Sequence, residues 1–164
     1  MATKEKDLND LFLNTLKDIY FAEKQIVRAL PKMAKAAQAG ELRKAFEDHK
    51  TESEVHVERL EHVFEMLGKK AQGKTCEAIK GLLDEGKEII EEFDETDALD
   101  AGLASAAQAV EHYEIARYGT LKTWAEQLGM GDAARLLDKT LGEEKKADDL
   151  LTRIATKTAN KKAA

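Results

Sequence analysis

The stretch Val110-Glu111-His112-Tyr113-Glu114-Ile115-Ala116-Arg117-Tyr118-Gly119-Thr120-Leu121 decides how the chain is read. Its apolar residues recur every three or four positions, which is helical spacing. Glu114 lies in the middle of that stripe, among Ala107, Tyr118 and Leu121, and Glu111 precedes it by one turn. An acid on the face a helix turns inward needs a reason, because a buried carboxylate is costly unless something compensates its charge.

The same irregularity recurs along the chain. A first helix is expected from about Lys6 to Ala37, with Leu16, Ile19, Val27 and Leu30 on its stripe and Glu23 in line with them. Pro31 falls inside it and should kink it without ending it. A second helix runs from about Glu41 to Leu67, stopped by Gly68; His49 sits between Phe46 and Leu60, Glu52 is one turn on at the stripe's edge, and His56 shares the face. Thr75 to Phe93 is a shorter helix capped by Thr75. The acidic link Asp94–Asp97 opens a fourth helix reaching about Leu128. After the turn Gly129–Asp132, Asp132 is expected to cap a fifth, on which Glu144 follows Leu137 and Leu141, with Asp148 and Leu151 beyond.

Short turns at Gly40 and Gly129 force each long pair antiparallel, and a connector of about 28 residues with its own helix can travel a bundle's length. The expected fold is therefore all-α, a ferritin-like four-helix bundle with one long crossover carrying a short fifth helix. Residues 1–157 should form one domain and 158–164 a disordered lysine-rich tail.

Composition agrees. The chain has 164 residues, 43% of them hydrophobic, 35% charged and 5% aromatic, with a single proline. That mix suits amphipathic helices and one core. The net charge of −6 opposes nonspecific binding to phosphate backbones, so nucleic acid is disfavoured as a partner. Cys76 stands alone, so no internal disulfide can form. With a charged start and no apolar stretch of about 20 residues, the expectation is a soluble, cytoplasmic protein that does not enter membranes.

Spacing links the buried acids. Glu23 and Glu52 are 29 residues apart and Glu114 and Glu144 are 30 apart, each pair straddling a hairpin turn near its midpoint. Residues equidistant from a turn face each other, which puts both pairs about 14 residues, or ~21 Å, from their turns. One such Glu is more often snorkelling or salt-bridged, with Lys24, Arg28 and Arg117 at hand. Four helices doing this at one level point to cations, since two divalent ions would offset four carboxylates. Oxygen ligands with imidazole suit iron first, then manganese, and tolerate zinc. His56 reads as a weak candidate and a partly buried polar residue, and His112 projects from another face. Tyr20 and Tyr113 read as packing residues with a hydroxyl to spare, and Cys76 as structural.

The stretches Leu16-Lys-Asp-Ile-Tyr-Phe-Ala-Glu23-Lys-Gln, Phe46-Glu-Asp-His49-Lys-Thr-Glu52, the Glu111–Leu121 run, and Leu141-Gly-Glu143-Glu144 with Asp148 resemble the YciF/YciE family of ferritin-like bacterial proteins. The resemblance covers nearly the whole chain. It implies a rubrerythrin-like bundle, a homodimer, a link to stress responses and a di-iron type site. By motif position it implies Glu23, His49, Glu52, Glu111, Glu114 and Glu144 as metal ligands, with Asp148 able to substitute on the last helix. The wider pattern has Glu-x-x-His on two helices; here Val55 and Ala147 stand three residues after Glu52 and Glu144. The resulting expectation is a carboxylate-rich, histidine-poor pair of metal ions, serving a redox stress function or, as the alternative, only steadying a structural bundle.

Overall fold

A computed structural model describes residues 4–164; Met1–Thr3, on which part of the expected leaderless start falls, lie outside them. The helices are α1 (Leu8–Ala36), α2 (Gly40–Met66), α3 (Glu77–Glu92), α4 (Leu99–Gln127), α5 (Gly131–Ile154) and, after a π-helical turn at Ala155–Ala159, the short α6 (Asn160–Ala163). The chain is an all-α bundle of four long helices with α3 on its long crossover.

Local chemistry sets the ends. Asp7 caps α1 through a reciprocal pair: its carboxylate accepts from Asp10 N at 3.1 Å, and Asp10 accepts from Asp7 N at 3.0 Å. Such a pair occupies two donors that a helix start leaves free. The far ends of α2 and α4 close alike. Gly68 (φ +63°) lets Lys69 N reach Phe64 O at 3.0 Å, and Gly129 (φ +72°) lets Met130 N reach Ala125 O at 2.8 Å. Glycine takes the left-handed turn without the steric cost a Cβ imposes. α3 is capped by Cys76, not Thr75: the Cys76 sulfur accepts from Ile79 N at 3.4 Å. Asp132 lies inside α5, and Met130 occupies the cap position. α1 runs unbroken through Pro31, which is exposed.

Each long helix packs on two others. α1 lies against α2 and α4, and α5 against α2 and α4, so α1 stands diagonal to α5 and α2 to α4. Asp100 at the start of α4 is buried, and its two oxygens accept from Gln38 N and Ala39 N, each at 2.8 Å. That contact puts the start of α4 beside the α1–α2 turn, so the crossover has travelled back along the bundle. Neighbouring helices therefore all run antiparallel. We expect Asp100→Ala to lower unfolding stability by about 3 kcal/mol, as two buried donors lose a charged acceptor; urea denaturation measures it.

α3 covers α1 and α4 from outside, so closely that a Cβ on Gly102 would come within 2.7 Å of Ile89 Cγ2. Residues 155–163, where a loose tail was expected to begin at 158, stay helical. Ala155 and Ala159 are buried, and Lys162 Nζ donates to Gln38 Oε1 at 2.8 Å. Ala155 and Ala159, four residues apart, lie on the bundle, while Lys157, Lys161 and Lys162 are exposed.

Candidate metal centre

The buried face of α2 reads Leu42, Phe46, His49, Ser53, His56, Leu60 and Val63. Steps of three and four residues keep these on one line. The same rule brings Glu23 inward on α1, Glu111 and Glu114 on α4, and Glu144 on α5; all are buried.

They meet in two groups. His49, Glu111, Glu114 and Glu144 each place a ligand atom within 4.8 Å of the others, and so do Glu23, His56 and Glu144. Glu144 belongs to both. His49 Nε2 lies 2.9 Å from Glu111 Oε1, 3.7 Å from Glu144 Oε2 and 4.0 Å from Glu114 Oε2. His56 Nδ1 lies 2.9 Å from Glu144 Oε1 and 3.3 Å from Glu23 Oε1.

These approaches are short but do not have hydrogen-bond geometry. Among the described residues, Glu23 Oε2, Glu111 Oε2, both oxygens of Glu114 and of Glu144, both nitrogens of His49 and Nδ1 of His56 have no hydrogen-bond partner. Buried polar atoms are almost always paired. A cluster of orphans whose lone pairs converge is the donor arrangement a cation needs. Four carboxylates and two imidazoles suit two divalent ions, since the charges then cancel.

Surrounding residues aim the candidate ligands. His56 Nε2 lies 3.0 Å from Glu143 Oε2, which fixes that nitrogen as the N–H and leaves Nδ1 free to ligate. Glu143 is itself gripped by both terminal nitrogens of Arg59, and Arg59 Nη1 donates to Thr140 Oγ1 at 3.1 Å. Burial raises the Glu143 carboxyl, but Arg59 and His56 outweigh it and hold it below its ordinary range. Tyr118, fully buried, donates its hydroxyl to Glu23 Oε1 at 2.6 Å. Partners of this kind fix ligand orientation. Glu143→Ala should weaken metal affinity about 10- to 100-fold while leaving the helix content intact, as read by metal titration and circular dichroism.

Without cations the cluster is electrostatically strained. Burial, then Glu144, Glu23 and Glu111, push the Glu114 carboxyl well above its usual range. Burial and Glu111, against His56 and His49, push Glu144 up to about 7. Burial disfavours a charged His56, but Glu144 and Glu23 outweigh it and raise its pKa to about 10. His49 rises well above its usual value in the same way, burial being overcome by Glu111, Glu52 and Glu144.

The structure thus brings together Glu23, His49, Glu111, Glu114 and Glu144. It does not bring Glu52 or Asp148 into either group. The Glu52 side chain is 48% exposed, and its Oε2 lies 3.6 Å from His49 Nδ1, the nitrogen turned away from Glu111. Ser53, one residue on, holds the middle of the face instead. Asp148 lies 3.2 Å from His112 Nε2 and accepts from Gln108 Nε2 at 3.2 Å, one turn beyond Glu144. His56, read from sequence as a weak candidate, is in the second group. The signal was present: Ser53-Glu-Val-His56 is Glu-x-x-His with serine at its first position. Tyr113 belongs to another cluster, donating to Asp18 Oδ2 at 3.1 Å and lying 3.0 Å from Cys76 Sγ. Tyr20 donates to Glu61 Oε1 at 2.9 Å.

The chain is 46% identical over 159 residues to Protein YciF of Escherichia coli K12, covering 96% of each chain. The crystal structure of the E. coli stress protein YciF superposes with a TM-score of 0.91 at 46% identity, over 96% of this chain and 99% of that one. YcfI from Rhodopseudomonas palustris gives a TM-score of 0.88 at 45% identity, over 93% and 97%. A Xanthomonas campestris protein at 21% identity and a TM-score of 0.72 shares the fold. Residues 7–164 match the family described as a domain of unknown function, DUF892, and with these relatives they place the chain in the DUF892 family, beside YciF.

Proposed function

We propose that this chain is a di-metal carboxylate protein, with iron first and manganese second as its ions, acting on peroxide in an oxidative or general stress response. The observation that carries the proposal is the set of orphaned, buried carboxylate and imidazole atoms converging on Glu144 from four helices. The name of its E. coli relative, a stress protein, supports the setting.

Glu114, Glu111 and His49 would hold one ion and Glu23 and His56 the other, with Glu144 available to both. When bound in reduced form, the ions would supply the two electrons that, with two protons, convert a peroxide ROOH into ROH and water. The protein's own residues set the conditions. Glu143 holds His56 in one tautomer, and the Tyr118 hydroxyl fixes Glu23, its oxygen 2.6 Å from Glu23 Oε1. The test is anaerobic loading with ferrous or manganous ion followed by peroxide. Two ions per chain and peroxide consumed in proportion support the proposal; a protein that refuses both metals removes it.

A non-catalytic bundle steadied by its metal is the second reading. It is favoured by Ser53 and Ala147, which stand where two Glu-x-x-His motifs would place a carboxylate and an imidazole. It predicts a metal-dependent rise in melting temperature with no peroxide turnover. As for setting and assembly, we place the protein in the cytoplasm, which the unpaired Cys76 suits, and as a homodimer, which the family resemblance suggests. Light scattering should give about twice the 18.2 kDa chain mass. Among the described residues no helix is long and apolar enough to cross a membrane.

A further inference from the structure

Beside the candidate metal centre lies a cavity of about 180 Å³ that opens to solvent between α1, α2, α4 and α5. Its walls are apolar: Ile26, Leu30, Phe46, Val110 and Leu151, with Leu83 of α3 as a further lining residue. His49 and Glu111, both buried, line it too, and they are two of the ligand residues above. Asp48, Glu52 and Lys146 are its exposed polar residues and mark the mouth.

Size and lining decide what fits. A hydrocarbon-lined cavity of about 150 Å³ stays dry and takes up benzene, so this one has room for a body of that size. Water or hydrogen peroxide needs two to four polar partners, and these walls supply them only beside His49 and Glu111. Without the ion, Asp48, Glu52 and Glu111 outnumber Lys146 and repel an anionic head; with the ion bound, its charge repels a cationic one. What remains is a neutral molecule with an apolar body and an oxygen-bearing head.

We propose that this cavity binds a small alkyl or aryl hydroperoxide, body against the apolar walls and O–O head beside His49 and Glu111, which makes organic hydroperoxides the substrate class of the site. The inference rests on the metal reading for its chemistry, but the cavity belongs to the protein alone and can be probed without metal. Glu52, excluded from the ligand groups, gains a place here at the mouth, beside His49 Nδ1.

The experiment uses metal-free full-length chain and 2-phenylpropan-2-ol, the unreactive alcohol that corresponds to an aryl hydroperoxide. Ligand-observed NMR and calorimetry should show saturable binding of one probe per chain. Ala107 and Ala29 line the cavity. Ala107→Phe, on a buried wall, and Ala29→Phe, at the half-buried rim where refolding of the core is not at stake, should each weaken it at least tenfold. No saturable binding, or undiminished binding in both variants, overturns the inference. Uptake of ferrous ion alone is measured on the same samples. Two ions with no probe binding sinks the substrate class and leaves the metal function; probe binding with no ions sinks the metal function and leaves the ligand site.

Discussion

Glu144→Gln should strip both ions from the protein at once. Among the described residues no other side chain belongs to both candidate groups: Glu144 Oε2 lies 3.7 Å from His49 and Oε1 lies 2.9 Å from His56. An amide keeps the volume but has one weak acceptor oxygen where the carboxylate has two charged ones. Four carboxylates balancing two divalent ions become three, leaving one positive charge buried, which costs several kcal/mol. We expect metal affinity to fall more than 100-fold at both positions, seen as loss of both equivalents in a ferrous or manganous titration. The metal-free variant should be at least as stable as the metal-free parent, because the substitution removes a carboxyl that burial and Glu111 hold at a pKa of about 7. Glu114→Gln, by contrast, should spare the Glu23–His56 position and retain one ion.

Metal loading should raise the melting temperature by about 10 °C or more, and the gain should grow with pH. Ligand present at 1,000 times its dissociation constant stabilises by about 4 kcal/mol. For a chain of this size each kcal/mol moves the midpoint by about 2–4 °C. The pH dependence follows from the direction of the shifts. Glu144 is raised from its ordinary 4.5 to about 7 and His56 from 6.5 to about 10, so the folded metal-free protein binds more protons than the unfolded chain. The stability from those protons is complete below the unfolded values and is lost as pH climbs through about 7 and then about 10. The metal-free protein should therefore melt progressively lower from pH 5 to pH 9. Cations need Glu144 deprotonated, so their affinity should rise over the same range, and the two melting curves should diverge. Scanning calorimetry at three pH values checks both signs.

Most of the architecture could be read from the stripes and glycines. Gly68 and Gly129 close α2 and α4 through left-handed turns, and the length between the hairpins required a crossover. Helix ends were less legible. Thr75 looked like the cap of α3, but the Cys76 sulfur takes that role, and nothing in the sequence separates two adjacent candidates.

The acids and histidines of the candidate cluster lie on the helices that the sequence pointed to, but Glu52 differs in register. Counting residues from the turn set Glu23 opposite Glu52, whereas Glu23 meets His56, one turn further along. Facing pairs in helical hairpins are set by how side-chain ridges interlock, and equal distance from a turn fixes them only to within a turn. A single residue is worth about 100° on a helix, which is why Ser53 faces inward and Glu52 does not. Asp148 shows the opposite limit. It lies on the correct side of α5, but the ligand groups end at Glu144 and a more distal acid finds Gln108 and His112 instead. The supports at Glu143, Arg59 and Tyr118 left no trace in the apolar periodicity, because two of them stand at its edge and the third looks like an ordinary core aromatic.

Everything chemical rests on cations being the missing partners of the converging lone pairs. Anomalous scattering from crystals soaked in ferrous or manganous ion, recorded at the matching absorption edge, tests that most directly. Two peaks flanking the Glu144 carboxylate, one beside His49 and one beside His56, are the result expected. Peaks confined to acids outside the two groups, such as the exposed Glu52 and the half-buried Asp148, or none at all, would contradict it.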